Sequence, residues 1–281
     1  MTDDDARERA LAQWEDMAAG WKATRAAFQH NVMPVSHWLV EAIHPQPGHR
    51  VLELAAGLGD TGLLAAELVA PGGSVLITDG AENMVAAARE HAEEVGATNV
   101  ELRTMQAEWI DLPAASVDAV LCRFGYMLLF DPEAALRETR RVLKPGGRVA
   151  FAVWDDLERN PWMKVLREAL VTRGLSPAPG PDGPGPFSLG SEEAVRELLG
   201  ATGFDDVEIE ALDLTIGAAS LDAWWDHVMQ TSMTTAAVVR ELAPADHYSL
   251  RDLVDAGYAP YVREDGSVQL PARALVAAAG A

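Results

Sequence analysis

The 281-residue sequence has little cysteine, few basic residues and no long apolar run, and each scarcity excludes a class of protein. Its single cysteine, Cys122, cannot form an internal disulfide, and we find no Cys/His spacing typical of a metal site. No apolar run approaches the ~18 residues of a membrane-spanning helix. The acidic N-terminus also lacks the apolar segment of a signal peptide. We therefore expect a cytoplasmic protein that holds no metal and contacts no membrane.

Basic residues are outnumbered by acidic ones. The 22 lysines and arginines stand against 43 aspartates and glutamates, which gives a formal net charge of -21. A surface of this sign repels phosphate backbones, so we expect no nucleic-acid partner. Hydrophobic residues make up 49% of the chain, enough for a substantial core, and the length suits one large domain or a domain with an insertion.

The middle of the sequence alternates between strand-like and helix-like segments. The strand-like runs HRVLELA, SVLITD, VELRTM, SVDAVLCRF and RVAFAVW are separated by helical patterns such as TGLLAAELVA and PEAALRETRRVL. Repeated β-α units of this length predict an α/β, Rossmann-like, doubly wound and mostly parallel sheet. Ligands of such sheets bind beyond the C-terminal ends of the strands. The run GSVQLPARALVAAA predicts a final, antiparallel strand.

The segments outside this alternation predict helices that surround the core. Residues 6–20 and 34–43 predict two N-terminal helices, residues 174–187 a loop rich in Pro and Gly, and residues 219–258 a further helical region. We expect three parts: an N-terminal helical cap at 1–45, a Rossmann-like core at 46–218 and 263–281, and a helical lid insertion at 219–262.

The stretch VLELAAGLGDTG, residues 51–62, joins the first predicted strand to the next helix and contains G-x-G-x-x-G at Gly57, Gly59 and Gly62. Small residues let the backbone N–H groups and the helix N-terminus approach a ligand. Asp79 ends the second strand, 22 residues after Gly57, where a Rossmann-like unit places an acid for ribose hydroxyls. The alternative role of the glycines is a purely structural turn, and the alternative role of Asp79 is the N-cap of the following helix. Both NAD and an adenosyl ligand are compatible with these residues.

Five segments in order resemble class I S-adenosylmethionine-dependent methyltransferases. ELAAGLGDTG resembles the first motif of that family, TDGAENM its acid-x-Ser-x-x-Met segment and AEWIDLP its adenine-contacting segment; SVDAVLCRFGYMLLFDP and RRVLKPGGR resemble the fourth strand and the following helix-to-strand turn. The resemblance covers residues 45–155 and includes the ubiquinone/menaquinone-type and natural-product-tailoring groups. The chain departs from the pattern at Ala55 and Ala81, where glycine and serine are usual, and at Gln106, where aspartate is frequent.

The resemblance implies S-adenosylmethionine as the cofactor and S-adenosylhomocysteine as the product. It places the methionine part of the cofactor on the loop 55–59, its amine near Glu53 and its ribose hydroxyls on Asp79. A hydrogen bond to loop amides is the alternative role of Glu53, and a surface ion pair is that of Arg123. The full set of implied cofactor contacts is Trp21, Glu53, Ala55, Ala56, Gly57, Gly59, Asp79, Gly80, Met84, Gln106, Ala107, Glu108, Trp109, Cys122, Arg123 and Phe124.

The function that we expect is methyl transfer to a small organic molecule, with O-methylation favoured over C- or N-methylation. A C-methyltransferase of a quinone-like ring is the first alternative. An NAD-dependent oxidoreductase and a non-catalytic nucleotide-binding module are the alternatives from other classes. No catalytic residue is assigned, although His30 and His227 lie in the segments expected to cover the site. The same segments are rich in aromatic residues that either bind an apolar acceptor or pack the lid on the sheet: Trp14, Trp21, Trp38, Trp224, Trp225, Tyr248, Tyr258 and Tyr261.

Overall fold

A computed structural model describes residues 3–175 and 183–281 and shows an α/β architecture. Its strands, in chain order, are β1 (Arg50–Glu53), β2 (Ser74–Asp79), β3 (Val100–Thr104), β4 (Val117–Arg123), β5 (Leu143–Trp154), β6 (Asp205–Ala218) and β7 (Val268–Gly280). Its α-helices are α1 (Asp3–Ala42), α2 (Asp60–Val69), α3 (Glu82–Glu94), α4 (Pro132–Val142), α5 (Pro161–Thr172), α6 (Glu192–Ala201), α7 (Leu221–Thr231), α8 (Met233–Arg240) and α9 (Pro244–Tyr258).

Within the described residues the strands form one seven-stranded sheet in the order β3-β2-β1-β4-β5-β7-β6. The strands β1 to β5 pair in parallel, whereas β7 lies antiparallel between β5 and β6. The expected Rossmann-like sheet with a final antiparallel strand is confirmed. The strand order reverses between β1 and β4, and ligands of open α/β sheets bind at such a switch point.

The central strands are buried on both faces. Val51, Leu52 and Phe151 have no exposed surface, as expected for parallel strands that helices cover on both sides. Burying a side chain of this kind contributes roughly 1.5–3 kcal/mol relative to leaving it exposed. The core therefore holds the C-terminal ends of β1 and β4 rigidly beside each other, with Glu53 of β1 opposite Leu121 of β4.

The N-terminal region forms one continuous helix, α1, so the prediction of two separate helices is wrong. Pro34 lies inside this helix, where a proline costs ~3 kcal/mol because it removes a backbone hydrogen bond. The helix continues through it because Val32, Val35 and Leu39 are fully buried against the core. Tertiary packing outweighs the local preference here, and α1 reaches from the sheet across α2 and α3 to α7.

The C-terminal helices α7, α8 and α9 occupy the segment for which a lid was predicted. Ser220 caps α7, since its side chain accepts a hydrogen bond from the Ala223 N–H at 3.1 Å. Residues 176–182 of the predicted Pro/Gly-rich loop lie outside the described residues. Across the described part of the chain, every helix is too short or too polar to cross a bilayer.

Candidate functional site

The loop between β1 and α2 has an unusual backbone. Ala55, Gly57 and Gly59 all have positive φ angles, of 48°, 56° and 75°. Nothing lies within 4 Å of the place where a Cβ on Gly57 would sit, so this side of the loop is open. Ala55 stands where the methyltransferase pattern has glycine, and a left-handed alanine costs roughly 1–2 kcal/mol. Backbone strain of this kind concentrates at functional sites.

Asp79 ties the loop after β1 to the loop after β2. Its Oδ2 accepts a hydrogen bond from the Gly57 N–H at 2.8 Å, and its Oδ1 accepts one from the Ala81 N–H at 2.9 Å. Burial raises the pKa of this carboxyl above its ordinary value, while the backbone donors act in the opposite direction. Each carboxylate oxygen can accept a second hydrogen bond, so Asp79 retains capacity for ligand hydroxyls.

The first turn of α3 is capped from a distant part of the chain. The Glu15 carboxylate on α1 accepts hydrogen bonds from the Glu82 and Asn83 N–H groups at 2.6 and 2.7 Å. Asp79 therefore does not play the part of the helix N-cap, which was the alternative interpretation of that residue. The sequence indicated no role for Glu15, because 67 residues separate it from Glu82.

Glu53 lies beneath the loop with only 1% of its surface exposed. Its Oε2 accepts a hydrogen bond from the Gly62 N–H at 2.9 Å. Glu53 therefore makes a hydrogen bond to a backbone amide, which was the alternative role considered for it. Burial raises the pKa of this carboxyl to about 8, against the opposing effects of the Arg123 guanidinium and the Gly62 N–H. A cation placed beside Glu53 would favour its ionised form.

A polar network joins the middle of α1 to the ends of β4 and α2. Arg25 donates to Oδ1 of Asp60 at 2.8 Å, and Gln29 also donates to the Asp60 carboxylate. Arg123 donates to Oε1 of Gln29 at 2.7 Å and to Oγ of Ser36 at 2.9 Å. Arg123 is thus half-buried against α1 and forms no surface ion pair.

Sequence reasoning missed the α1 residues of this network. Arg25 and Gln29 lie between the two predicted N-terminal helices, in a stretch for which the sequence predicted no element. Their spacing of four residues, with Ser36 seven further on, places all three on one face of a helix. This spacing would have indicated a shared polar face if one continuous helix had been predicted for the N-terminal region.

Trp21 and Met84 come together with the loop. Met84, Leu58 and Ala81 belong to one buried cluster, and Trp21 packs against it. The indole Nε1 of Trp21 is buried and has no hydrogen-bond partner among the described residues. A buried donor without a partner is costly, so this atom indicates a place for a ligand acceptor.

Gly80 is covered by side chains from two other segments. A Cβ on Gly80 would lie 3.7 Å from Cδ1 of Leu11 on α1 and 3.8 Å from Cγ of Gln106. Gln106 is therefore next to Gly80. Leu11 was not predicted from the sequence.

Two of the implied adenine contacts lie beside α4, and of these Glu108 is buried whereas Trp109 is exposed. Glu108 and Trp109 line an open groove of about 540 Å³ together with Arg137 and Glu138. The Trp109 side chain is 58% exposed, and the Arg7 guanidinium lies 5.6 Å from the centroid of its ring.

The remaining implied residues are buried next to the strand ends. Ala56 donates its N–H to the Thr78 carbonyl at 2.9 Å, and Ala107 is buried as well. Burial raises the pKa of the Cys122 thiol to about 12, so this cysteine is unreactive. Phe124, with φ of 59°, stacks on Trp154 at a centroid distance of 4.2 Å.

A row of aromatic side chains connects α1, α7, α9 and α5 with the C-terminal ends of β5 and β4. We call it the aromatic arc, and its members in order are Trp21, Phe28, His227, Trp224, Tyr258, Trp162, Trp154 and Phe124. Successive ring centroids lie 4.2 to 6.5 Å apart, except where the Tyr258 hydroxyl donates to the Trp162 carbonyl at 2.6 Å. Trp21 packs with Leu58, and a Cβ on Gly125, which follows Phe124, would lie 2.6 Å from that of Ala55. The arc therefore begins and ends at the loop 55–59.

The members of the aromatic arc differ in exposure. Trp224, Tyr258, Trp154 and Phe124 are buried, as packing between lid and sheet requires, whereas Trp21, Phe28, His227 and Trp162 keep part of their surface exposed. His30 is exposed and makes no ring contact with the arc members. Tyr248, another aromatic residue of the predicted lid, is 70% exposed and lies off the arc.

These features fit an adenosyl ligand with an amino-acid tail. The open backbone at Gly57 admits the tail, the buried carboxyl of Glu53 suits an ammonium group, and the spare acceptors of Asp79 suit a sugar diol. The unpartnered Nε1 of Trp21 is a further donor at the same place. The fold and the site thus define a methyltransferase of the Rossmann-like class.

Comparison with known proteins identifies the family. Residues 54–151 match the family described as "Methyltransferase domain". Over 193 residues the chain is 31% identical to the ubiquinone/menaquinone biosynthesis C-methyltransferase UbiE of Ralstonia nicotianae, covering 63% of this chain and 74% of that protein. Over 199 residues it is 32% identical to nocamycin O-methyltransferase of Saccharothrix syringae, covering 68% and 71%.

A solved structure shares the fold. The crystal structure of the YcgJ protein of Bacillus subtilis superposes with a TM-score of 0.59 at 19% identity, over 87% of this chain and 97% of that one. Together with the matches in sequence, this likeness leads to one conclusion. The chain belongs to the class I S-adenosylmethionine-dependent methyltransferases, and S-adenosylmethionine is its cofactor.

Proposed function

We propose that the protein methylates a small organic acceptor that bears a hydroxyl group on an apolar ring, with O-methylation as the favoured outcome. The aromatic arc is the observation that carries this proposal, because it starts and ends at the cofactor loop and retains accessible ring surface at Trp21, Phe28, His227 and Trp162. Apolar pockets with a few polar groups are typical of small-molecule sites. The net charge of -21 supports a small acceptor over nucleic acid.

The geometry of the loops supports a set of cofactor contacts. Bound S-adenosylmethionine would supply an electrophilic methyl group on a sulfonium. The open backbone of the loop 55–59 and the carboxyl of Glu53 would hold its amino-acid part, and Asp79 would accept hydrogen bonds from its ribose hydroxyls. The nucleoside would be bordered by Trp21, Gly80, Met84 and Gln106, and the methionine side by Cys122, Arg123 and Phe124.

The lid positions the acceptor and excludes water. We propose that residues 219–262 act as this lid over the core at 46–218 and 263–281, and that α1, which packs against α7, closes the site together with it. Methyl transfer needs the acceptor lone pair in line with the bond that breaks, and orientation of this kind can lower a barrier by ~7–11 kcal/mol. The rings of the aromatic arc hold a flat acceptor in one orientation.

Two relatives support acceptors of this kind without choosing between oxygen and carbon. One is a C-methyltransferase of ubiquinone/menaquinone biosynthesis and the other an O-methyltransferase of nocamycin. C-methylation of a quinone-like ring is therefore the second candidate function. Mass spectrometry and NMR of the product from a panel of hydroxylated rings would distinguish an O–CH₃ from a C–CH₃ group.

The cofactor assignment is tested by calorimetric titration with S-adenosylmethionine, S-adenosylhomocysteine and NAD. We expect micromolar binding of the two sulfur compounds and no binding of NAD. Asp79→Ala should weaken that binding by about 1–3 kcal/mol, the order expected for lost hydrogen bonds to a charged group. Asp265→Ala, a change at an exposed loop residue outside the proposed cofactor contacts, is the control. Unchanged affinity in Asp79→Ala would refute the ribose assignment.

A further inference from the structure

The aromatic arc contains one side chain that can accept a proton. Seven of its eight members are Trp, Phe or Tyr, and the eighth is His227 on the lid helix α7. The His227 ring stacks between Phe28 of α1, at 6.5 Å and 17°, and Trp224 of its own helix, at 5.4 Å and 27°. These contacts hold the imidazole in one orientation.

We propose that His227 is the general base of the reaction and takes the proton of the acceptor hydroxyl. This inference rests on the proposed function, because it needs a hydroxylated ring bound against the aromatic arc. His227 and Phe28 both keep part of their surface exposed. Phe28 also contacts Trp21, which packs against the cluster that contains Leu58 of the loop 55–59, so this part of the arc is the part connected to the cofactor loop. General bases must lie within hydrogen-bond reach of the proton that they remove.

The surroundings keep the His227 ring in the form that accepts a proton. Burial lowers the pKa of His227 below its ordinary value. From α1 the ring meets Phe28, and from its own helix it meets Trp224. The titratable neighbour on α9 is Tyr258, which contacts Trp224 and whose hydroxyl donates a hydrogen bond to the Trp162 carbonyl. The imidazole is therefore neutral near pH 7.

Other titratable groups near the site are poor bases for this step. Burial raises the pKa of Tyr258, and its hydroxyl is already a donor to a carbonyl. The Cys122 thiol is fully buried, with a pKa of about 12. Glu53 and Asp79 lie under the cofactor loop and accept backbone N–H groups there. His30 is exposed on α1.

The step balances without a further reactant. An oxygen lone pair of the acceptor forms the new O–CH₃ bond, and the C–S bond breaks with its electron pair remaining on sulfur. The hydroxyl proton moves to the ring nitrogen of His227, and the resulting imidazolium returns it to water after the product leaves. The same deprotonation would activate a phenolic ring for attack through carbon, so the role of His227 holds for O- and for C-methylation.

The test compares His227→Asn and His227→Phe with the unaltered protein, using 2-naphthol as the acceptor probe and S-adenosylmethionine as the donor. We expect kcat for methylated 2-naphthol to fall about 100-fold or more. We expect the affinity for S-adenosylmethionine and the melting temperature to stay close to those of the unaltered protein. The acidic limb of the pH–rate profile, with an apparent pKa below that of free histidine, should disappear in His227→Asn. The matched control is His247→Asn, a lid histidine that contacts Trp225 off the aromatic arc.

The outcomes separate this inference from the proposed function. If His227→Asn keeps its rate and the acidic limb of the profile, the general-base role is wrong. If the unaltered protein binds S-adenosylmethionine but neither binds nor methylates 2-naphthol, the proposal that a hydroxylated ring binds against the aromatic arc is wrong. The general-base role of His227 is then refuted as well. If S-adenosylmethionine does not bind at all, the cofactor assignment fails instead.

Discussion

Glu53→Gln is expected to flatten the pH dependence of stability of the cofactor-free protein. The Glu53 carboxyl is 1% exposed, and burial raises its pKa from 4.5 to about 8. Between about pH 4.5 and pH 8, the Glu53 carboxyl is therefore protonated in the folded protein and ionised in the unfolded chain. The contribution of Glu53 to stability is full below about pH 4.5 and is lost as the pH rises through about 8.

The size of the effect follows from the difference between the pKa of Glu53 in the unfolded chain and its pKa in the folded protein. One unit corresponds to ~1.4 kcal/mol, so the shift from 4.5 to about 8 amounts to ~5 kcal/mol at most. Glutamine has nearly the same shape, and its side-chain oxygen can accept the hydrogen bond from the Gly62 N–H. The glutamine side chain does not ionise, so position 53 no longer makes the free energy of unfolding depend on pH.

Urea unfolding at a series of pH values between about 5 and 9 measures the difference. We expect the unaltered protein to lose several kcal/mol relative to Glu53→Gln across this range. Glu101→Gln, a change at an exposed residue of β3, should run parallel to the unaltered protein. A constant difference between Glu53→Gln and the unaltered protein would show that the Glu53 carboxyl is not held protonated by burial, and the reasoning would be refuted.

Two glycine substitutions test the packing around the site. In Gly62→Ala the new Cβ would lie 2.3 Å from Oε2 of Glu53, so we expect a loss of about 1–3 kcal/mol in urea unfolding together with weaker cofactor binding. In Gly20→Ala the Cβ would lie 2.2 Å from the Gln230 carbonyl oxygen. We therefore expect α7 to move away from α1, with a lower melting temperature by calorimetry and a higher KM for the acceptor. Gly200→Ala in α6 is the matched control, because nothing lies within 4 Å of its Cβ and alanine favours a helix by ~1 kcal/mol over glycine. Equal stability of all three variants would contradict the close packing at Gly62 and Gly20.

Local patterns sufficed to predict the sheet and the turn of small residues that follows β1. Alternating apolar runs and helical segments predicted the Rossmann-like order, and the bare stretch from Ala55 to Gly59 predicted a backbone that approaches a ligand. Asp79 lies beside that loop as expected, since its position at a strand end depends only on strand spacing. These features are recorded in neighbouring residues, which is why a single sequence reveals them.

Contacts between segments that are distant in sequence could not be predicted from local patterns. Pro34 and the weak pattern before it indicated a break in the N-terminal region, yet burial of Val32, Val35 and Leu39 makes α1 one helix. Once α1 is continuous, its middle turn meets Asp60 and Arg123, which no local pattern could show.

The sequence by itself determined the fold class and the methyltransferase family, because both depend on short-range periodicity and on turns of small residues. Only the tertiary structure decided that α1 is one continuous helix and which aromatic rings of distant segments contact one another. The physical reason is distance along the chain: Phe28 and His227 meet only after α1 and α7 have packed across the same edge of the sheet.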